Sequence, residues 1–244
     1  TGATSGFCEA MARRLIAGGA NVIATGRRAD RLKALADDLA TPALLTRELD
    51  VRDSASIAAL LPSLPAEFAA IDILYNNAGL ALGLGKAHEA SLEDWTTMIE
   101  TNVTGLVRVT RAVLPGMVER NRGDVMNIAS VAASYPYPGG NVYGATKAFV
   151  RQFSLNLRAD LIGTKVRVTS IEPGMAETEF SVVRFAGDTE KAAGVYKGVH
   201  AMSADDVALV CESVLKLPAH INVNTLELMP VQQAFAGFAV DRSQ

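Results

Sequence analysis

Tyr143 and Lys147 stand four residues apart in Tyr-Gly-Ala-Thr-Lys, which puts them on one face of any helix that holds them. A phenol titrates at about 10 in water, so proton transfer near neutrality calls for a neighbouring cation that favours the phenolate. Lys147 can supply that charge. Ser130 lies thirteen residues before Tyr143, just after an apolar run, where its hydroxyl can reach the same pocket. Tyr75, Tyr135, Tyr137 and Tyr196 have no lysine four residues on, so spacing selects Tyr143; Ser134 is a nearby competitor of Ser130. A second chemical stretch opens the chain, Thr-Gly-Ala-Thr-Ser-Gly-Phe at 1–7. Gly2 and Gly6 let the backbone turn tightly against an anion, and a helix expected over 8–17 would present its positive dipole end there. Cys8 stands where a third glycine is common, and a small buried hydrophobe serves there in its place. Further on come Gly26-Arg27-Arg28, instead of the acidic residue that would accept from a ribose 2′-hydroxyl. Two guanidiniums suit a 2′-phosphate. The alternative for Arg27 and Arg28 is a solvated helix start, where cations oppose the dipole.

These groups need a scaffold that gathers them, and the hydrophobic pattern supplies one. Apolar β-branched runs at 21–25, 43–49, 71–75, 123–129 and 166–171 predict strands, and they alternate with helices expected at Ala29–Leu39, 92–120 and 143–161. This alternation predicts βαβ units and a parallel sheet, whose ligands sit beyond the carboxyl ends of the strands. Ser130 falls at such an end. Along 143–161, Ala145, Phe149, Phe153 and Leu157 recur at helical spacing and predict a core-facing stripe. The stretch 175–197 is polar and aperiodic, which predicts a lid over a binding site.

Composition narrows the function classes. At 244 residues and 49% hydrophobic content, with no linker or repeat, the chain suits one large domain, 1–244. A net charge of −3, with 23 basic and 26 acidic residues, offers no footprint for nucleic acid. Cys8 and Cys211 are isolated, and His88, His200 and His220 are scattered, so neither a disulfide framework nor a metal site is expected. No apolar run reaches the ~20 residues of a membrane span and no signal peptide is evident, so a cytoplasmic protein without membrane partners is expected. The sequence opens inside the loop motif, and the expectation is that the natural protein extends several residues upstream with the strand that carries it.

The motif at 1–7, Asn76-Asn77-Ala78-Gly79, Asn102 in Thr-Asn-Val, Ser130, Tyr143-x-x-x-Lys147 and Pro173-Gly174 occur in the order and spacing of the short-chain dehydrogenases/reductases. The resemblance spans essentially the whole chain. It implies a Rossmann-type α/β fold, a doubly wound parallel sheet flanked by helices in a single domain, and a Ser-Tyr-Lys-Asn tetrad. Tyr143 would then be the acid/base, Ser130 would bond the substrate oxygen, and Asn102 would hold a water of the proton relay. Lys147 would bind the nicotinamide ribose and lower the tyrosine's pKa. Asn102 taken alone is a helix cap or turn residue. For the cofactor, NADP, the implied contacts are Gly2, Thr4, Ser5, Gly6 and Phe7 at the phosphates, and Arg27 and Arg28 at the 2′-phosphate. Asp50 and Val51 would contact adenine, and Asn77, Ala78 and Gly79 the ribose side. Pro173, Gly174 and Thr178 would lie near the nicotinamide.

The stretches IATGRRADRL, IDILYNNAGLALG, TRAVLPGMVERN, GGNVYGATKAFVRQFSLNLR and NTLELMPV resemble a bacterial branch of the family that acts on short 3-hydroxy acids. That likeness implies oxidation of the 3-hydroxyl of a serine-, L-allo-threonine- or 3-hydroxypropionate-type acid, or reduction of the matching semialdehyde, without a metal. A carboxylate substrate needs a cationic partner when buried. Arg184, in the lid sequence SVVRFAGD, is the candidate, its alternative being an exposed lid arginine. A homo-oligomer is also implied, tetramers being common among relatives. Two other readings stand beside this one: a reductase of neutral ketones or aldehydes, and a non-catalytic regulator that senses NADP.

Overall fold

The computed structural model describes residues 1–234. Among them the β-branched runs form six strands: β1 (Val22–Gly26), β2 (Leu44–Glu48), β3 (Ile73–Asn76), β4 (Gly123–Ile128), β5 (Val166–Pro173) and β6 (Thr225–Leu228). Every pairing is parallel, with β1 beside β2 and the other four in the order β3-β4-β5-β6. The first three residues bridge the two groups: the Thr1 amino group donates to the Tyr75 carbonyl at 2.8 Å, and the Ala3 amide to the Thr25 carbonyl at 2.8 Å. The phosphate-type turn is thereby held between β1 and β3.

Ten helices connect and cover these strands within the described residues. They are α1 (Gly6–Ala17), α2 (Ala29–Leu39), α3 (Ser54–Leu60), α4 (Ala66–Ala69), α5 (Leu92–Ile99), α6 (Leu106–Glu119), α7 (Asn141–Asp160), α8 (Glu179–Arg184), α9 (Thr189–Gly194) and α10 (Ala204–Leu215). A strand buried on both faces must fill two cores, and β4 does so by alternation. Met126 and Ile128 pack with Met11, Leu32, Leu35, Val207 and Cys211 of α1, α2 and α10. Val125 points the other way, to Ile57, Val109, Val113, Met117 and Leu157 of α3, α6 and α7. Burying a side chain such as Val207 fully contributes about 1.5–3 kcal/mol, so this layering supplies most of the driving force.

The helix expected over 92–120 is interrupted. Between α5 and α6 the chain widens into a π-helical turn, Glu100–Gly105, which carries Asn102. The turn approaches Val51 so closely that a Cβ on Gly105 would lie 2.6 Å from the Val51 methyl. Long-range contact of this kind overrides local helical preference. Several elements pass unnoticed in the hydrophobic pattern: the short helices α3, α4, α8 and α9, and the longer α10 with β6. Helix α10 had a legible start, because Ser203 and Asp206 form a reciprocal capping box.

The predicted core stripe of α7 is overturned. Its buried face is Tyr143, Thr146, Lys147, Val150, Ser154 and Leu157, of which only Leu157 was expected. Ala145 and Phe149 are exposed, whereas Phe153 is half-buried against the core and its ring stacks on Phe149 at 5.8 Å. The helix turns its polar catalytic-type residues inward because Asn127 and Asn102 meet them with hydrogen bonds, Asn127 Nδ2 to Ser154 Oγ and Asn102 Nδ2 to Thr146 Oγ1. Pattern reading assigns polar residues to the outside by default.

Candidate active site

The carboxyl ends of β1, β3, β4 and β5 open onto one cleft of about 700 Å³. Every candidate catalytic, cofactor-binding and substrate-binding residue lines it, with the exception of Asn102. At one end the glycine turn forms as expected. Gly2 and Gly6 have φ of 73° and 62°, a region that favours glycine, and a Cβ on Gly2 would lie 3.0 Å from the Ala78 backbone. Thr1 Oγ1 accepts from the amides of Asn77 and Ala78 at 3.1 and 3.0 Å, so the turn and the loop after β3 form one wall.

Arg28 is exposed but anchored by hydrogen bonds. Its Nη2 donates to Thr4 Oγ1 at 2.9 Å and to Ser5 Oγ at 2.8 Å, and its Nη1 pairs with Glu179 of α8 at 2.9 Å. Glu179 is shared with Arg31 at 3.2 Å. The cleft rim thus joins the phosphate-type turn, the start of α2 and the lid. Arg27 is exposed at the same rim. Asp50 is held below the usual carboxylate range, chiefly by the two-pronged bond from Arg52, with a smaller contribution from Arg27.

At the other end the catalytic-type groups converge. Ser130 follows β4 and donates from Oγ to the Pro173 carbonyl at 3.4 Å while accepting from the Ala132 amide at 3.1 Å. Lys147 Nζ donates to the Ile128 carbonyl at 2.7 Å and lies 5.8 Å from the Tyr143 ring centroid. The expected depression of the Tyr143 pKa by Lys147 is not what this geometry produces. Burial pushes the phenol up to about 12, with a bond from Ser130 and the charge of Arg184 acting in the opposite direction. Burial also brings the Lys147 ammonium down to about 8. Desolvation dominates both because each side chain lies at the floor of the cleft.

Asn102 sits behind that floor. Its Oδ1 accepts from the Leu80 amide at 2.9 Å, and its Nδ2 donates to the Leu80 carbonyl at 2.8 Å and to Thr146 Oγ1 at 3.0 Å. The side chain therefore ties the loop after β3 to α7. Gly79 must lack a side chain for this, since a Cβ there would meet Asn102 Oδ1 at 3.2 Å and Lys147 Nζ at 3.5 Å.

Of the two readings of Arg184, exposure is excluded. The guanidinium lies 5.1 Å from the Tyr143 ring centroid, 5.4 Å from that of Phe180 and 5.6 Å from that of Tyr137. It donates to the Tyr137 hydroxyl, and its Nε is buried without a hydrogen-bond partner. The Arg184 carbonyl accepts from Gly83 at 3.0 Å, which fixes α8 to the loop beyond Leu80. Sequence spacing had set Tyr137 aside, and Glu179 and Gln233 gave no signal at all. All three act through tertiary contacts that no local spacing encodes.

No helix among the described residues is long and apolar enough to cross a membrane, and none of their side chains form a cluster of three or more His, Cys, Asp or Glu that could hold a metal.

Residues 1–188 match the family model described as short chain dehydrogenase. The chain is 61% identical over 244 residues to the NADP-dependent 3-hydroxy acid dehydrogenase YdfG of Salmonella typhi, covering 100% of this chain and 98% of that protein. It is 55% identical over 242 residues to serine 3-dehydrogenase of Rhizobium radiobacter, covering 99% and 96%. Among solved structures, the closed form of serine dehydrogenase complexed with NADP+ superposes with a TM-score of 0.98 at 60% identity, covering 99% of this chain and 98% of that one.

Proposed function

The chain belongs to the short-chain dehydrogenase family, and from that premise we propose which residues carry its reaction and on what substrate. It is an NADP-dependent oxidoreductase that transfers hydride between the 3-hydroxyl carbon of a short 3-hydroxy acid and the cofactor. The observation that carries the substrate class is Arg184, a half-buried arginine whose buried Nε has no hydrogen-bond partner, placed against the Tyr143 ring. A carboxylate is the complementary ligand for that donor. Serine, L-allo-threonine and 3-hydroxypropionate place a hydroxyl and a carboxylate at a separation that could engage Tyr143 and Arg184 together; a neutral ketone would leave Arg184 unmatched.

The residues present fit NADP. A side chain on Gly2 would crowd Ala78 and Gly6 has a left-handed backbone, Thr4, Ser5 and Phe7 line the turn, and Arg27 and Arg28 hold positive charge at the rim where a 2′-phosphate needs it. Asp50 and Val51 would face adenine, Asn77, Ala78 and Gly79 the ribose side, and Pro173, Gly174 and Thr178 the nicotinamide. The bound cofactor supplies the hydride acceptor or donor.

In the oxidation, Ser130 orients the substrate hydroxyl and Tyr143 takes its proton; in the reduction Tyr143 returns it. Lys147, held by the Ile128 carbonyl, provides a cation beside the phenol, and Asn102 fixes Leu80 and α7 so that Tyr143 and Lys147 keep their spacing. A regulator that only bound NADP would have no use for this arrangement. We take 1–244 as one domain of a cytoplasmic homo-oligomer, a tetramer by family likeness, with the face of α7 that exposes Phe149 in its interface.

Turnover is followed by the absorbance of reduced cofactor with a panel of 3-hydroxy acids and NADP. Tyr143→Phe should lower kcat by about 10²–10⁴. Arg184→Leu should lower kcat/KM on a 3-hydroxy acid by about 10²-fold and affect a neutral alcohol far less. Equal losses on both substrates would remove the carboxylate from Arg184.

A further inference from the structure

The lid, 175–202, leaves and rejoins the body through a narrow neck. The Met202 amide donates to the Met175 carbonyl at 3.1 Å, and the Glu177 amide to the Met202 carbonyl at 2.8 Å. Two consecutive glutamines of the segment after β6 grip this neck from outside. Gln232 Oε1 accepts from the His200 amide at 2.6 Å, and its Nε2 donates to the Gly198 carbonyl at 3.4 Å. Gln233 Oε1 accepts from the Met175 amide at 2.7 Å and lines the cleft itself.

The contact at Gln233 is tight around Gly174. A Cβ on Gly174 would lie 2.3 Å from Gln233 Oε1 and 3.0 Å from the Met229 side chain. Gly174 has no left-handed backbone to explain its identity. With glycine at 174 the Gln233 carboxamide can sit directly against the turn, and a side chain there would displace it. The same turn reaches the reacting end, since the neighbouring Pro173 carbonyl accepts from Ser130. A shift at Met175 is therefore transmitted to Ser130 through two residues.

We propose that Gln233 is a positioning residue whose side-chain carbonyl holds the turn Pro173, Gly174 and Met175 at the nicotinamide end of the cleft, while Gln232 holds the returning strand of the lid. The proposal rests on the cofactor placement given above. What the turn requires is an acceptor for the Met175 amide, so Gln and Glu suffice at 233, whereas Leu and Lys do not.

The test compares Gln233→Leu, Gln233→Glu and Gln233→Lys in the full chain, using two ligands. NADPH spans the whole cleft, and adenosine 2′,5′-bisphosphate reaches only its adenosine end. Gln233→Leu and Gln233→Lys should weaken NADPH binding by about tenfold, the effect of one lost bond to a half-buried amide, leave bisphosphate affinity within about twofold, and speed tryptic cutting at Lys191 and Lys197. Gln233→Glu should restore NADPH affinity to within about threefold of the parent. Equal weakening of both ligands would mean general destabilisation and would overturn the proposal, as would Gln233→Glu behaving like Gln233→Leu. The Gly174→Ala change should cost less affinity when Gln233→Ala is also present; additive losses count against the contact. Should the parent protein bind NADPH but turn over no 3-hydroxy acid, the substrate reading fails and the binding comparison still decides the role of Gln233.

Discussion

Lys147 is a charge placed where its own protonation is penalised. In the unfolded chain it keeps its proton to about 10.5, and in the folded protein only to about 8. Below about 8 both states are charged and the whole penalty stands, about 3 kcal/mol for a shift of this size. Stability therefore rises as pH climbs from about 8, because the unfolded state still binds the proton that the folded state has released. Tyr143 has the opposite sign: its phenol ionises at 10.0 when exposed and about 12 when folded, so stability falls again above about 10. Lys147→Met removes the buried charge and orphans only the Ile128 carbonyl, a loss of about 1 kcal/mol. Thermal unfolding should thus show an inactive Lys147→Met variant that melts several degrees above the parent at neutral pH and loses this advantage toward pH of about 10. A variant melting below the parent at neutral pH would contradict the burial argument.

Between α5 and α6 the π-helical turn displaces Asn102 toward Leu80 and Thr146. A regular helix would leave that amide one residue out of phase with both partners, and π turns commonly mark such functional displacements. Asn102→Asp is nearly isosteric but sets a carboxylate against the Leu80 carbonyl. The change should cost about 1–3 kcal/mol, or roughly 2–4 °C of Tm per kcal/mol in a chain of this size, and it should lower kcat more than the cofactor KM. An unchanged Tm by calorimetry would show that the amide's donor is dispensable. Reading 92–120 as one helix missed the turn, although Thr101-Asn102-Val103-Thr104-Gly105 is a run of poor helix formers; α2, by contrast, was expected at Ala29–Leu39 and forms there, because its ends and its buried Leu32 and Leu35 are set locally.

The whole molecule places two cores back to back and leaves the cleft at one edge of the strands. On the outer face of α7 Phe149 is exposed and belongs to neither core, while Phe153 beside it is half-buried against the core of Val109, Val113 and Leu157. If that face lies between subunits, Phe149→Glu should lower the mass found by sedimentation equilibrium while the monomer keeps its circular dichroism; an unchanged mass would take this face out of the assembly. The parallel α/β class was legible in the sequence because strand periodicity is a local property. The glycine turn, Arg27 and Arg28, and the Ser130, Tyr143 and Lys147 set were singled out there by motifs whose joint order resembles the family, and the structure lines one cleft with them. Tertiary structure decided what depends on distant partners: Arg184 against Tyr143 and Tyr137, Glu179 on Arg28, Gln233 under Gly174, and the inward face of α7. Burial also decided the proton affinities. The same Tyr-x-x-x-Lys spacing that brings a cation to a phenol also carries both to the cleft floor, where loss of water is the largest influence on each.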